Sequence, residues 1–326
     1  MDLRLALYEL AAQHQLDATA TKKLQALAGI NSEPARLAYW LPRGVAVLAA
    51  ALGGLGIIFW IAANWDTLGR FGHFALLQSI FLLLCAGALF KPAARTPLGL
   101  LAVLSIGGLF AYFGQTYQTG ADPWQLFAVW AVLALPLCLS IRSDVLWTPW
   151  ALVVVTGVSL WIHAHTSHSW RVAPQDWNVF LTGWGATVLL IFALSPVLRY
   201  LSGAGPWAFR TSVTLGTMMI TTTALGALFQ NDGLALYGLG LVLLMAAAGG
   251  LVTEKLFEIY GLSAVSLGLN VLLICGLARL LFEHVHDKEW IFVFLIVGLA
   301  AAGLMAATVS MLLRLSRRHA SEGVLV

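Results

Sequence analysis

Five histidines in two short runs carry the most recognisable chemistry in this chain. His163, His165 and His168 fall within six residues and are followed by Trp170 and Asp176; a second run reads Glu283-His284-Val285-His286-Asp287. Neutral imidazoles and carboxylates are good ligands for zinc, copper or nickel, and two loops brought together would supply four of them. One expectation is thus a divalent metal, as cofactor or sensed ion, at His163, His165, His168, His284 and His286. A pH-sensing site is the other functional form of the same cluster, and the alternative to both is a surface cluster of histidines that holds no fixed metal.

A second set of groups is polar where its surroundings are not. Asn64, Gln78, Gln115, Gln118 and Asn270 are amides inside or at the edge of strongly apolar stretches, where an amide is costly unless it is paired or near water. They are densest in the hinge Gly114-Gln115-Thr116-Tyr117-Gln118-Thr119-Gly120-Ala121-Asp122, which leads into Pro123 and Trp124. Gln115, Tyr117, Gln118 and Asp122 mark either a wet cavity or a tightly bonded helix hairpin. Asp122 followed by Pro123 reads as a helix start: a carboxylate to cap free N–H groups, then a residue with no N–H at the first helical position. Among the acids, Glu258 comes closest to a membrane carboxylate able to couple a proton, although Lys255 nearby points to an interfacial position. Arg279 has Glu283 four residues on as a natural partner.

These groups must be positioned by membrane helices. Of 326 residues 60% are hydrophobic and 10% charged, and the mean hydropathy is +0.86, whereas a soluble domain carries about a quarter charged residues. The fold class expected is all-α, a polytopic membrane bundle. Ten apolar segments, near 44–63, 74–90, 98–113, 124–140, 145–162, 178–198, 212–229, 234–252, 260–281 and 290–312, each approach the ~20 residues that cross a bilayer. Residues 1–40 precede them, with Leu3, Leu7 and Leu10, then Leu16, Ala20, Leu24 and Leu27, at helical spacing. They predict two short amphipathic helices, too small a unit for a core of its own. The organisation is thus an N-terminal helical segment 1–40, a bundle 41–313 and a tail 314–326. Cys85, Cys138 and Cys275 all lie in apolar segments without a CxxC spacing, as small buried hydrophobes do.

Fourteen of the 18 Lys and Arg residues, from Arg4 and Lys22 to Arg314, Arg317 and Arg318, fall on the side of the termini; Arg70, Arg171, Arg279 and Lys288 fall on the other. The positive-inside rule then predicts both termini in the cytoplasm and an even number of spans. Histidines 73, 163, 165, 168, 284 and 286 lie on the opposite, outer side. A net charge of +3 gives no reason to expect nucleic acid as a partner; the lipid bilayer is one partner, and residues 1–40 offer a place for a protein.

The hinge and its flanks resemble a bacterial membrane family catalogued as domain of unknown function 2157. The resemblance rests on the helical segment before the first span, the first-span exit Ile57-Ile58-Phe59-Trp60-Ile61-Ala62-Ala63-Asn64-Trp65, and the hinge from Gly114 through Asp122-Pro123-Trp124-Gln125-Leu126-Phe127, with Trp130 and Leu135-Pro136 after it. It covers roughly the first 150 residues. It implies a multi-pass protein of the bacterial inner membrane, supplies no mechanism, and singles out Asn64, Trp65 and the 114–122 hinge.

No phosphate loop, nucleophile–base pair or paired catalytic carboxylates are evident, so no enzyme is expected. The spacing His163-x-His165-x-x-His168 superficially matches the metallo-β-lactamase motif, but Ser167 stands where that motif needs aspartate; a metal-dependent activity at the outer face is left only to the histidines. Two functions stand. One is transport of a small solute, ion or lipid along a path near Asn64, Trp65, Gln115, Tyr117, Gln118, Asp122 and Trp124. The other is a non-catalytic sensor or assembly module that uses the N-terminal helices and the His-rich outer loops.

Overall fold

The least apolar of the long helices lies at the centre of the C-terminal half. The computed structural model describes residues 3–28, 35–63, 69–117, 120, 122–166, 172–230, 233–253, 256–283 and 290–322. Among them the chain is all-helical: α1 (Leu3–Gln13), α2 (Ala18–Leu27), α3 (Ala35–Ala63), α4 (Gly69–Phe90), α5 (Arg95–Tyr117), α6 (Pro123–Ile141), α7 (Asp144–His165), α8 (Trp177–Ala193), the short α9 (Arg199–Ser202), α10 (Pro206–Leu228), α11 (Leu234–Val252), α12 (Ile259–Phe282) and α13 (Trp290–Glu322). The expected pair of short N-terminal helices is present as α1 and α2. The first long helix begins at Ala35, before the boundary drawn at residue 40, and its apolar stretch runs Tyr39–Trp60.

Among the described residues nine helices are long and apolar enough to cross a membrane, and the count is ten if the bent pair Trp177–Ala193 and Pro196–Ser202 forms one span. The bend of 52° follows from Ser195-Pro196. Proline disfavours the helical conformation of the residue before it, and Ser195 is extended at ψ 157°. Geometry requires the bent pair to cross. The start of α10 is bonded to Asp144 at the start of α7, so the chain leaves one end of the bundle along α7 and must return to it before α10 begins. At 1.5 Å per residue, the 17 residues of α8 cover about 25 Å of that distance.

Two helices serve as hubs. α5 packs on α3, α4, α6 and α7; α10 packs on α7, α8, α11 and α12, so that α7 joins the halves. In its most apolar window α10 is 56% buried, against 6% for α13. That explains its composition: a helix surrounded by protein can carry Ser212, Thr214, Thr217, Thr221, Thr222 and Thr223, whose hydroxyls can return to the preceding turn. Thr214 donates to the Arg210 carbonyl at 2.8 Å and Thr223 to that of Met219 at 2.7 Å. Close approach comes from small residues: a Cβ on Gly268 of α12 would stand 2.7 Å from Thr217 Cγ2 and 2.8 Å from Thr221 Oγ1.

Candidate functional site

The hinge is built only in part as its sequence suggests. Pro123 opens α6, and Asp122 precedes it with extended backbone (φ −60°, ψ 137°), yet the Asp122 side chain makes no capping hydrogen bond to the helix. The Gln125 N–H is taken instead by the Asp122 main-chain carbonyl at 3.0 Å, and Pro123 has no N–H to offer. Gln115 is exposed on the last turn of α5, and Tyr117 beside it is 48% exposed, its ring near Phe113 and Phe74 at 5.0 and 5.9 Å. Trp124 turns inward; its Nε1 is buried with no hydrogen-bond partner among the described residues, as is Thr116 Oγ1. Asn64, Trp65 and Gln118 lie outside the described residues.

The histidine run is not one loop. Helix α7 continues through His165, so His163 and His165 are two residues apart on a helix and stand about 200° apart around its axis. His163 is half-buried; His165 is exposed, its Nδ1 2.8 Å from the Trp161 carbonyl and its ring 4.6 Å from the Trp161 ring and 6.0 Å from that of Trp124. Helical periodicity thus turns these two side chains to different sides of α7. His168, His284 and His286 lie outside the described residues. Among the described residues no group of three His, Cys, Asp or Glu side chains is placed to hold a metal ion.

Glu258 precedes α12 as its N-cap rather than lying within the span. One carboxylate oxygen accepts the Gly261 N–H at 2.6 Å, and the other accepts from Arg210 Nε of α10 at 2.8 Å. Arg210 lies near the rings of Trp207 and Tyr260, 5.1 and 5.5 Å from their centres. The acid singled out for proton coupling is thus engaged in tying α10 to α12. Asn270, the amide at mid-membrane, is likewise paired, with Thr308 of α13 at 3.1 Å.

A tie that was not foreseen in the sequence lies at the same end of the bundle. Asp144 accepts three backbone N–H groups from the start of α10: Gly205 at 3.1 Å, Trp207 at 2.8 Å and Ala208 at 2.8 Å. These are donors that a helix leaves unsatisfied at its N-terminus, where the helix dipole also favours an anion. Gly205 and Pro206 ahead of a long helix were the available signal, but nothing in the spacing says that the cap comes from 60 residues away. The tryptophans act similarly. Trp130 Nε1 donates to the Val103 carbonyl at 2.9 Å, Trp150 to that of Ala131 at 2.8 Å, Trp147 to that of Ser202 at 2.9 Å, and Trp184 to Thr223 Oγ1 at 2.9 Å.

The open space in the bundle follows α8. On its hinge-end half a cavity of about 300 Å³ lies between α6, α7 and α8, lined by Trp124, Phe127, Trp161, Thr182 and Gly183. A second, of about 330 Å³, lies between α7, α8 and α10, with Ser159, Phe180, Met218 and Thr222. Beyond the middle of α8 a third, of about 290 Å³, runs between α8, α10, α11 and α12 to the helix break, with Phe192, Ser195, Val213, Gly250 and Leu256 in its wall. The walls are apolar with isolated hydroxyl or indole groups, the composition of sites that take largely hydrophobic ligands. Of the described residues at and beside the hinge, Trp124 lines one of them and Gln115 does not.

No curated protein and no solved structure matches this chain. Residues 8–147, which hold the hinge and the first-span exit, match the model of the family described as predicted membrane protein (DUF2157), the same family those residues resemble.

Proposed function

We propose that this multi-pass membrane protein moves a small amphiphile, a lipid or a mainly apolar solute, along its broken helix α8. The observation that carries this is the placement of cavities along both halves of α8, beside a helix broken at Ser195-Pro196. The break closes the far end of this row of cavities, and small, mostly apolar cavities between helices are where a largely hydrophobic ligand is held. The path thus follows α8, with Trp124 at its hinge-end mouth, rather than the exposed side chains of Gln115 and Tyr117. In a bacterial inner membrane with both termini in the cytoplasm, the orientation that the Lys and Arg residues favour, the hinge end faces outward. The test is reconstitution into liposomes with a fluorescent phospholipid and a membrane-impermeant quencher. Faster loss of inner-leaflet fluorescence than in protein-free vesicles is the expected result, and identical rates would remove lipid as the cargo.

A second reading is favoured by residues 3–28. Leu10, Leu16 and Leu27 are exposed on α1, its following turn and α2, which suits a partner protein or the bilayer surface. Deleting residues 1–35 would leave lipid movement unchanged on the first reading and abolish a partner-dependent signal on the second.

A further inference from the structure

We infer that the cavity beside Ser195 holds one acyl chain of a glycerophospholipid from the leaflet at the Arg199 end, with the Ser195 hydroxyl donating to an ester carbonyl. This deepens the amphiphile proposal by naming a lipid class and its seat, and it is tested by binding, independently of movement.

Three observations lead there. The first is shape. Along α10 the wall runs from Phe209 to Ile220 and along α11 from Leu243 to Leu251; at 1.5 Å per residue these cover about 16 and 12 Å. That is half of the ~30 Å hydrocarbon core, the depth of one leaflet, and the long direction lies along the helices, as acyl chains do. The second is chemistry. Ser195 is 2% exposed and lines the cavity, yet its Oγ has no hydrogen-bond partner among the described residues. Although it holds an N-cap position before Pro196, its side chain does not cap the turn that follows. A buried hydroxyl without a partner is costly, and a ligand acceptor would satisfy it. The third is depth. Ser195 follows the start of α8 by 18 residues, about 27 Å along the helix direction, which brings it near the far edge of the hydrocarbon layer where ester carbonyls lie. Arg199, one turn further on, is exposed and stands where a phosphate would meet it.

Gly250 provides the test. It lines the cavity, and a Cβ built on it meets nothing within 4 Å, so the first atom of a larger side chain has room there and two sizes of side chain are compared. The full chain is placed in nanodiscs containing phosphatidylglycerol with a photoactivatable group at mid-chain, irradiated, and mapped by peptide mass spectrometry. The expected result is adducts on the cavity walls of α10 and α11, lost in Gly250→Phe and in the smaller Gly250→Leu. In Ser195→Ala they fall by about fivefold, the loss of one hydrogen bond. Adducts on exposed α13 serve as the annular-lipid reference and stay constant. Adducts on α13 alone, or cavity adducts undiminished by filling, would overturn the inference; an undiminished signal in Ser195→Ala would overturn the hydroxyl contact. Retained adducts without lipid movement would count against the transport proposal alone.

Discussion

Asp144 and Ala208 are 64 residues apart in sequence and joined directly, a carboxylate oxygen of one accepting the amide N–H of the other at 2.8 Å. With the N–H groups of Gly205 and Trp207 on the same carboxylate, this pair sets the start of α10 against the start of α7. A second carboxylate, Glu258, sets the start of α12 against Arg210 of α10. The three helices at the seam of the two halves are thus aligned at one end by two acids, each serving a helix N-terminus.

Replacing Asp144 by alanine leaves three donors at a partly buried helix start without their acceptor, at about 1–3 kcal/mol for a buried group left unmade. Asp144→Ala is expected to lower stability by about 2–4 kcal/mol, and Asp144→Asn by less, since an amide oxygen still accepts. Reversible unfolding in mixed micelles measures both; equal losses would show that the asparagine amide oxygen replaces none of the carboxylate's contribution there.

The Arg210–Glu258 pair makes a separate prediction. Breaking a buried or partly buried pair from one side strands the other charge, so Glu258→Ala and Arg210→Ala are each destabilising and the double variant costs less than their sum, with a coupling of about 1–3 kcal/mol. Glu258→Gln keeps an acceptor for the Gly261 N–H and is milder than Glu258→Ala. If Glu258 instead serves to couple protons, Glu258→Gln would abolish pH-driven flux while leaving the unfolding midpoint unchanged.

Two glycines separate close packing from open lipid. On Gly107 a methyl group would collide with the six-membered ring of Trp130, which is held by its bond to the Val103 carbonyl. Gly107→Ala is expected to destabilise by about 1–3 kcal/mol. Gly249 has nothing within 4 Å of an added Cβ, and Gly249→Ala is expected to stabilise by about 0.5–1 kcal/mol through helix propensity. Thermal unfolding of the two purified variants should move in opposite directions.

Two tryptophans form a matched contrast. Trp130→Phe removes a hydrogen bond between α6 and α5 and should cost about 1 kcal/mol. Trp124→Phe removes a buried N–H with no partner among the described residues, so stability should be unchanged or higher while any ligand that accepts from that N–H binds more weakly. A loss of stability in Trp124→Phe comparable to that in Trp130→Phe would refute the distinction.

The helix count was legible because hydropathy reports directly on the length of an apolar run, and even the bent span appears in sequence as 178–198 with Pro196 near its end. Which helix is central was not. The organising stretch in sequence is Gly107–Leu137, because its polar hinge contrasts with its flanks; in three dimensions α10 holds the C-terminal half, and its threonines look like a weak span until they are seen to be enclosed by protein. The path of the backbone through the histidine run was not legible for a local reason: nothing in His163-Ala164-His165 says that α7 continues through it. Asp144 was hidden for the opposite reason, since its three donors lie beyond an intervening crossing.

That separation has a consequence for biogenesis. When Asp144 enters the membrane as part of α7, its acceptors face donors that have not been synthesised, because Gly205 is 61 residues away. At about 5–20 residues per second, the ribosome needs roughly 3 to 12 s to supply them. Throughout that interval a carboxylate destined for a partly buried seat waits in the company of lipid headgroups and water. Only the insertion of α8, its bend, and then α10 completes the site, so the Asp144 tie is among the contacts that form after the C-terminal half has begun to arrive.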